Sequence, residues 1–360
     1  MKMIIAGGGT GGHLFPALAI AGAMMKLYPD THICFVNAGG KMDMQVMPAS
    51  GFDFEVIKAR PFRGRAFGQR IASLWSAYRG FRQSKKLLKK HEPDLVLAVG
   101  GYAALPMGLA ARVKNIPLLI QEQNAVLGLV NSILSRFAVK IFLGFNGAEK
   151  KIGAEKCLFT GNPVRPEILR QAESVTRDDS VFTVLVWGGS QGAESINQAL
   201  LDALPCLSRH REYLRFIHQT GAGKAERVSH AYQKNGFQAE VREFFSEPGI
   251  CYQRSHLVIC RGGAASLSEM MALGRTGLCI PYPYAAGDHQ TENARILVNL
   301  GAMEYIDDKE LNGLQIAEFI ERMRSNRPLR EKREILALNY GRRDAAEIIA
   351  AYCRQMMERN

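Results

Sequence analysis

The segment MIIAGGGTGGHLFPALAIAGAMMKL, residues 3–27, decides the fold of this chain. It begins with a short apolar run, continues through five glycines in six residues, and ends in a stretch with helical periodicity from Leu14 to Leu27. Such an apolar run predicts a buried strand, and a strand that leads through a glycine turn into a helix opens a parallel α/β unit. The segment therefore predicts a parallel sheet covered by helices.

The alternation of short apolar runs with helical patterns continues along the chain, and it restarts in the second half. In the first half we predict a helix over Ile71–Leu88 and further strands at Ile33–Val36, Leu95–Val99, Leu118–Gln121 and Val139–Leu143. In the second half we predict a helix over Ala193–Leu204 and strands at Val181–Trp187, Leu214–Gln219, Ala239–Phe244, Leu257–Cys260 and Gly277–Pro281. The expected fold class is α/β, with two Rossmann-like parallel-sheet domains that face each other across a cleft.

The segment Gly161–Pro166 separates the two halves. Its two prolines and one glycine cannot continue a helix or a central strand. We therefore predict an N-terminal domain over residues 1–161, a second domain over 162–340, and a C-terminal helix over 341–360 that packs across the domain junction. The polar tract Gln171–Asp179 is predicted to be a surface loop.

The composition suits two folded domains and an anionic partner. Of 360 residues, 47% are hydrophobic and 22% are charged, and the formal charge is +12. This charge favours nucleic acid, phosphorylated metabolites or acidic lipid surfaces, but no helix-turn-helix, RNP or zinc pattern supports nucleic acid. No signal peptide is visible and no apolar stretch has the length that spans a bilayer, so we expect any membrane contact to be peripheral.

The first glycine turn, Gly7–His13, predicts a phosphate-binding site. Glycines let backbone N–H groups approach an oxyanion, and the helix start adds partial positive charge. The turn also matches G-x-G-x-x-G through Gly7, Gly9 and Gly12, which is typical of dinucleotide binding. That alternative requires an acid at the end of the second strand, whereas the first acid there is Asp43. A phosphate or diphosphate ligand is therefore favoured.

A matching turn, Gly188–Gly192, follows the first strand of the second half. It satisfies G-x-S-x-G, so a serine hydrolase that uses Ser190 is an alternative from another reaction class. That enzyme would need a downstream acid and histidine, and none of the downstream histidines can be assigned to such a pair. We favour phosphate binding by Ser190, and we reject Gly221–Lys224 as a P-loop because no Ser or Thr follows the lysine.

Each half has a further glycine turn where a predicted strand ends. Gly100–Tyr102 follows a strand of the first half, and Arg261–Glu269 follows a strand of the second half and opens a helix. Open α/β sheets bind ligands at the carboxyl ends of their strands. Two such sets of turns predict two ligands and a group transfer from a donor to an acceptor.

The ordered set of these motifs resembles a known family. The motifs are Gly8–His13, Gly100–Tyr102, Gln121-Glu122-Gln123-Asn124, Gly161–Arg165, Gly188–Ala193 and Cys260–Ala264. They are similar to those of the peptidoglycan N-acetylglucosaminyltransferases of the MurG type, which are GT-B enzymes. The resemblance extends from about Met3 to Arg343. It departs from the family at Gln121, where histidine is common, at Gly262, where serine is common, and at Phe245, where an aliphatic residue is common.

The resemblance implies both the reaction and its location. It implies transfer of N-acetylglucosamine from UDP-N-acetylglucosamine to the 4-hydroxyl of undecaprenyl-diphosphoryl-N-acetylmuramoyl-pentapeptide, with inversion, in peptidoglycan synthesis. It also implies a peripheral enzyme on the cytoplasmic face of the cell membrane. No nucleic acid partner and no cofactor are expected, and no Asp-x-Asp motif at a strand end calls for a metal.

The resemblance also assigns roles to individual residues. On the N-terminal side it implies that Thr10, Gly11, Gly12 and Asn124 line the cleft and that Arg165 approaches the donor diphosphate. On the C-terminal side the implied donor contacts are Ser190 to a phosphate, the Phe245 backbone to uracil, Glu269 to the ribose hydroxyls, Gln290 to the sugar, and the helix start formed by Gly263, Ala264, Ala265 and Ser266.

Inversion requires a base beside the acceptor hydroxyl, and His13 is the candidate, because imidazole titrates near neutral pH. The alternative is that His13 only hydrogen-bonds the loop or a phosphate. Glu269 has an alternative as well, since an acid in the first turn of a helix is favoured by the helix dipole alone.

A basic stretch from Arg60 to Lys90 predicts docking on an anionic membrane surface. It carries ten lysines and arginines, with aromatic residues around Phe62–Phe67. The helical spacing of its apolar residues is equally typical of an amphipathic crossover helix with a solvated basic face. The surplus charge still indicates contact with acidic lipid headgroups, through Arg63, Arg65 and Arg70.

Overall fold

The computed structural model describes residues 1–59, 67–189 and 191–359, without the side chains of 67–77, 150 and 151. Its contacts divide the chain into two compact units. The first unit is Met1–Pro163 together with Arg343–Asn360, and the second is Val164–Arg342. Both boundaries lie two residues after those expected from the sequence, and the last helix belongs to the first unit.

The first unit is built on a seven-stranded sheet. Its elements are β1 (Lys2–Ala6), α1 (Gly11–Leu27), β2 (His32–Asn37), α2 (Lys41–Val46), β3 (Asp53–Val56), α3 (Phe67–His91), β4 (Leu95–Ala98), α4 (Ala104–Val113), β5 (Leu118–Glu122), α5 (Leu129–Leu134), β6 (Lys140–Leu143), α6 (Glu149–Ile152) and β7 (Cys157–Phe159). All neighbouring strands are parallel, in the order β3-β2-β1-β4-β5-β6-β7.

The second unit is built on a six-stranded sheet. Its elements are α7 (Pro166–Glu173), β8 (Phe182–Trp187), α8 (Glu194–Leu207), β9 (Leu214–Gln219), α9 (Ala225–Lys234), β10 (Gln238–Arg242), α10 (Pro248–Arg254), β11 (Leu257–Cys260), α11 (Ala264–Ala272), β12 (Gly277–Cys279), α12 (His289–Asn299), β13 (Glu304–Tyr305), α13 (Gly313–Ser325) and α14 (Arg327–Tyr340). The order is β10-β9-β8-β11-β12-β13, again with parallel neighbours. The chain ends in α15 (Ala345–Glu358), which packs against α1.

The central strands are apolar on both faces because helices cover both faces. In β1, Ile5 belongs to a core with α1 and α15, while its neighbour Ile4 belongs to a core with α4 on the opposite face. In the second unit, alternate residues of β8 such as Val184 and Val186 pack against α8 and α13. The predicted class, α/β with two parallel-sheet units, is confirmed.

Three short strands and one short helix differ from the prediction. All ten predicted strands are present, but β3, β7 and β13 were missed. Each of these three is an edge strand of only two to four residues and is not fully buried, so its sequence is too short to show a strand pattern. The tract Gln171–Asp179 is not entirely a loop, because α7 includes its first three residues.

Candidate active site

Strand order places the glycine turns of the first unit next to each other. Strands β1 and β4 are neighbours although they are not consecutive, so the loops that follow them meet at a topological switch point. The two loop backbones are in contact there. A Cβ atom on Gly7 would lie 2.2 Å from the Gly100 carbonyl oxygen, and one on Gly101 would lie 2.4 Å from the Gly8 carbonyl oxygen. Both loops therefore need glycine for the close packing of their backbones.

The first three N–H groups of the Gly7 turn are used inside the protein. The Gly7 N–H donates to Val36 O over 2.9 Å, and the Gly8 N–H donates to Gly100 O over 3.3 Å. The Gly9 N–H donates to Asp43 Oδ1 over 2.8 Å. Asp43 is fully buried and places a carboxylate beside the turn. The expectation that these three glycine amides bind phosphate is therefore wrong. Phosphate binding by this turn remains a prediction only for Thr10, Gly11 and Gly12 at the start of α1.

His13 lies in the first turn of α1, between the second glycine loop and β5. Its Nδ1 is 2.9 Å from Oε1 of Gln123, just after β5. Its ring also packs on Gly100, since a Cβ atom at Gly100 would lie 2.9 Å from His13 Cε1. Gly100 has a φ of +89°, which favours glycine in its own right. Backbone geometry and one amide therefore hold the imidazole in place.

Asn124 is held by a buried carboxylate to which the sequence had assigned no role. Glu122 is 1% exposed. Its Oε1 accepts hydrogen bonds from Asn124 N over 3.0 Å and from Asn124 Nδ2 over 3.3 Å. Its Oε2 accepts from Gly128 N over 3.0 Å and from Asn131 Nδ2 over 2.9 Å. Glu122 is therefore fully engaged in shaping the loop that carries Asn124, and it is not available as a catalytic acid or base.

In the second unit the switch point lies between β8 and β11, where the turns Gly188–Gly192 and Arg261–Glu269 follow the strands. Ser190 lies outside the described residues. The Gly221–Lys224 loop packs against the turn Gly188–Gly192. A Cβ atom on Gly192 would lie 2.1 Å from Thr220 O, and a Cβ atom on Gly221 would lie 2.6 Å from Gln191 O. Gly221 is thereby explained by packing and Gly223 by its φ of +72°, without a P-loop.

Gln219, at the end of β9, connects the turn Gly188–Gly192 to Phe245, whose backbone is expected to contact uracil. Its Nε2 donates to Gly189 O over 2.9 Å, and its Oε1 accepts from Phe245 N over 2.9 Å. Phe245 is 4% exposed and packs beside Trp187. Only the Phe245 carbonyl remains available for the expected hydrogen bond to uracil, because the Phe245 N–H is already donated to Gln219.

Glu269 is buried with a cation and a phenol as partners. Arg165 Nη2 lies 3.3 Å from its Oε1, and the Tyr252 hydroxyl donates to its Oε2 over 3.2 Å. Burial raises the pKa of Glu269, and the charge and hydrogen bond of Arg165 oppose that rise. Glu269 is the sixth residue of α11, which has no acid in its first turn, so the helix-dipole alternative does not account for it.

The start of α11 presents backbone N–H groups at the switch point. Gly263 is the N-cap residue, and Ala264, Ala265 and Ser266 form the first turn, whose N–H groups have no partner within the helix. Ser266 also hydrogen-bonds Tyr252. The partial positive charge of this helix end suits an anionic group.

Gly262, where serine is common in the family, sits tightly against α12. A Cβ atom on Gly262 would lie 2.5 Å from Gln290 O, and the Gly262 carbonyl accepts from Asn293 Nδ2 over 3.0 Å. The Oε1 atom of Gln290 accepts from Tyr282 N over 2.9 Å. The side chain expected to contact the sugar is therefore already oriented by backbone contacts.

Arg261 ties these loops together, and the sequence did not single it out. Its guanidinium donates to Asp308 Oδ1 over 2.5 Å and to Ser195 Oγ over 2.8 Å. It also donates to the carbonyl oxygens of Ile280 and Pro281, over 3.1 Å and 3.3 Å. One cation thereby fixes the carboxyl ends of β11 and β12 to the start of α8.

The described histidines of the second unit that are paired with a carboxylate do not support the hydrolase alternative. Two are paired with carboxylates in the second unit: His256 with Asp179 and His210 with Glu321, each over 2.9 Å. His256 directly precedes β11 and His210 precedes β9, so both lie at the amino edge of the sheet. The turn with Ser190 follows β8 at the carboxyl edge, a full strand length away.

The predicted membrane-facing residues are only partly within the described structure. Residues 60–66, which include Arg63 and Arg65, lie outside it, as does the side chain of Arg70. Farther along α3, the Lys90 Nζ atom is 2.5 Å from Glu55 Oε1, which makes that lysine part of an exposed ion pair.

Comparison with known proteins supports the resemblance over the full chain. Residues 3–143 match the N-terminal domain of glycosyltransferase family 28, and residues 183–348 match its C-terminal domain. The chain is 40% identical to the UDP-N-acetylglucosamine–N-acetylmuramyl-(pentapeptide) pyrophosphoryl-undecaprenol N-acetylglucosamine transferase of Pelobacter propionicus, over 97% of this chain and 98% of that protein. It is 38% identical to the protein of the same name from Syntrophus aciditrophicus, over 99% of both.

A solved structure extends the similarity to three dimensions. The crystal structure of MurG from Acinetobacter baumannii is similar with a TM-score of 0.81 and 26% identity, over 98% of this chain and 99% of that chain. Two family-domain matches, full-length relatives and a structure of the same fold together show that this chain belongs to glycosyltransferase family 28, with the MurG-type N-acetylglucosaminyltransferases.

Proposed function

We propose that this chain transfers N-acetylglucosamine from UDP-N-acetylglucosamine to the 4-hydroxyl of N-acetylmuramoyl-pentapeptide on undecaprenyl diphosphate, with inversion, in peptidoglycan synthesis. The observation that carries the proposal is the 40% identity over 97% of the chain to an enzyme named for this transfer. The geometry of both switch points is consistent with it, because in each unit glycine turns follow the strands at the edge where open α/β sheets bind ligands.

The donor is proposed to bind the second unit. Glu269 would accept hydrogen bonds from the ribose hydroxyls, and the Phe245 carbonyl would accept from uracil. The N–H groups at the start of α11 and the Ser190 hydroxyl would bind the diphosphate, and Gln290 would contact the sugar. Burial raises the pKa of Glu269, so its pairing with Arg165 matters for keeping it an acceptor near neutral pH.

Arg165 would stabilise the departing UDP. It is the N-cap residue of α7 and its side chain is one-third exposed, so part of the guanidinium can reach a ligand while one nitrogen stays with Glu269. As the bond between the anomeric carbon and the phosphate oxygen breaks, negative charge grows on the diphosphate. A fixed cation and a helix start lower the energy of that transition state.

The acceptor is proposed to bind the first unit, with Thr10, Gly11, Gly12 and Asn124 lining its site and His13 as the base. Asn124 is half-buried and fixed by Glu122, which suits a hydrogen-bonding role with a defined direction. His13 is attached to a rigid glycine framework, as a base requires.

Membrane association is proposed to be peripheral and cytoplasmic. Among the described residues, no helix is both long and apolar enough to cross a bilayer. The lipid-linked acceptor requires access to a membrane surface, and the excess of basic residues between Arg60 and Lys90 would bind anionic headgroups. Reversing the charges of Arg63, Arg65 and Arg70 to glutamate should abolish co-sedimentation with anionic vesicles. Retained binding would refute this location.

The function is tested by a panel of UDP-sugars with a short-chain lipid-linked muramoyl-pentapeptide, scored for UDP release. We expect release with UDP-N-acetylglucosamine and little with UDP-glucose. UDP should also raise the melting temperature, whereas NAD and duplex DNA should not. Equal turnover of all donors, or protection by NAD or DNA instead of UDP, would refute the proposal.

A further inference from the structure

A chain of three hydrogen-bonded amide side chains stands behind His13. Gln123 Oε1 lies 2.9 Å from His13 Nδ1, and Gln123 Nε2 is within hydrogen-bond distance of both Val99 O and Gln121 Oε1. Gln121 Nε2 lies 2.9 Å from Asn162 Oδ1, and Asn162 Nδ2 lies 2.8 Å from Gln123 O. All three amide side chains are at least 96% buried, so water does not compete for these bonds.

The two ends of this chain fix the orientation of every amide in it. A backbone carbonyl can only accept, so Val99 O requires the amino group of Gln123 and not its oxygen. At the other end, Gln123 O requires the amino group of Asn162 for the same reason. The oxygen of Asn162 then receives Gln121 Nε2, and the oxygen of Gln121 receives Gln123 Nε2. Both ends lead to the same arrangement, in which Gln123 Oε1 faces His13.

An acceptor at His13 Nδ1 selects one form of the ring. The Gln123 oxygen cannot donate, so Nδ1 of His13 must carry the proton. In the neutral imidazole the lone pair is then on Nε2, which has no hydrogen-bond partner among the described residues. Gly100 supports the same ring position, because any side chain at residue 100 would overlap the imidazole.

We infer that Gln123 is a positioning residue that holds His13 in the Nδ1–H form with Nε2 as the base nitrogen. This inference rests on the proposed function. In the transfer, Nε2 of His13 takes the proton of the acceptor 4-hydroxyl while the oxygen forms a bond to the anomeric carbon. The bond from that carbon to the diphosphate oxygen breaks, and UDP leaves with the electron pair. Gln123 also accepts the Nδ1–H bond that strengthens as the ring becomes positive.

Two other histidines of the chain provide internal controls of opposite tautomer. His256 Nδ1 accepts from the Thr183 backbone N–H over 3.0 Å, so its proton is on Nε2. Asn197 donates to Thr220 O, which turns its oxygen toward His218 Nε2 over 2.9 Å, so that proton is on Nε2 as well. The same reasoning thus predicts one Nδ1–H ring and two Nε2–H rings in one protein.

The first experiment reads the tautomer of the full wild-type chain directly. Histidine nitrogens are labelled with ¹⁵N and observed by long-range ¹H–¹⁵N correlation at about pH 8, above the usual imidazole pKa of about 6.5. His13 is assigned by its loss in His13→Asn. We expect a protonated Nδ1 for His13 and a protonated Nε2 for His218 and His256. A protonated Nε2 on His13 overturns the inference even if UDP release is normal, whereas a failed donor panel would overturn only the proposed function.

The second experiment separates positioning from folding. Gln123→Met should lower kcat roughly 10- to 100-fold, as expected for a misplaced base, and leave the KM for the donor within about twofold. The matched control is Gln83→Met, which removes a glutamine bonded to the Lys58 N–H in the same unit, and its kcat should be unchanged.

A double variant tests whether Gln123 acts through His13. In a His13→Ala background, adding Gln123→Met should change kcat by less than about threefold, because residues that act as a unit are not additive. The inference is contradicted if Gln123→Met lowers kcat by the same factor in the wild-type and His13→Ala backgrounds. It is also contradicted if the single variant Gln123→Met has an unchanged kcat. Thermal melting checks that each variant folds. If Gln123→Met does not fold, the tautomer of His13 measured in the wild-type chain decides whether the inference holds.

Discussion

Replacing Glu269 by alanine tests the donor site at a buried carboxylate. The carboxylate is 7% exposed and holds Arg165 and the Tyr252 hydroxyl. If it accepts hydrogen bonds from ribose hydroxyls, each such bond to a charged group contributes about 1.5–3 kcal/mol. Loss of a single such bond should weaken UDP binding by roughly 10- to 150-fold. The buried Tyr252 hydroxyl loses one partner as well, which should lower the free energy of unfolding by about 1–3 kcal/mol.

The assay is isothermal titration of UDP into the variant, with chemical denaturation to measure the free energy of unfolding. Tyr252→Phe is the matched control, because it removes a partner of Glu269 without removing the carboxylate. It should lower stability by about 1 kcal/mol and change UDP affinity by less than about threefold. Wild-type UDP affinity in a folded Glu269→Ala protein would refute the ribose contact and leave Glu269 as a structural partner of Arg165.

Further outcomes follow from the same contacts. Gly100→Ala would place a Cβ atom against His13 at a φ of +89°, and should lower stability by about 1–3 kcal/mol and reduce turnover, which melting and UDP release would measure. Asp43→Ala would leave two half-buried backbone N–H groups without their acceptor and lower the free energy of unfolding by about 1–3 kcal/mol in denaturant titrations; an unchanged value would contradict this. Burial lowers the pKa of His256 to about 4 and of His218 to about 3, so the folded state keeps both neutral while the unfolded state binds protons below about pH 6.5. Each should therefore remove about 3 kcal/mol of stability as the pH falls from about 6.5 to about 4, and a flat profile from urea unfolding would refute this.

The sequence predicts the central strands well because burial on both faces leaves continuous apolar runs such as Leu95–Val99. It misses β3, β7 and β13, since these edge strands have only two to four residues, which is too short for an apolar run or an alternation to be recognised. The glycine turns are visible for a similar reason. A backbone that passes another backbone at Gly7 or Gly192 excludes every side chain, so the residue type itself carries the signal.

The sequence does not reveal the residues that act through buried hydrogen bonds. Gln123, Gln219 and Tyr252 each depend on partners far along the chain, which no spacing rule encodes. Glu122 depends on partners within the next nine residues, but only the folded loop brings them to its carboxylate. For the same reason the sequence could not show that the N–H group of Gly9 is donated to Asp43. For Glu122, Gln123 and Gln219 the signal present was indirect: an amide or acid at the end of a buried strand, where a side chain has to find a partner at the sheet edge.

The central claim is transfer of one sugar from UDP-N-acetylglucosamine to a lipid-linked muramoyl-pentapeptide. The most direct measurement is mass spectrometry of a short-chain acceptor after incubation with the donor and the full chain, with UDP quantified in the same sample. We expect each acceptor molecule to gain one N-acetylglucosamine residue for each UDP released. Unmodified acceptor, or UDP release accompanied by free N-acetylglucosamine alone, would contradict the account.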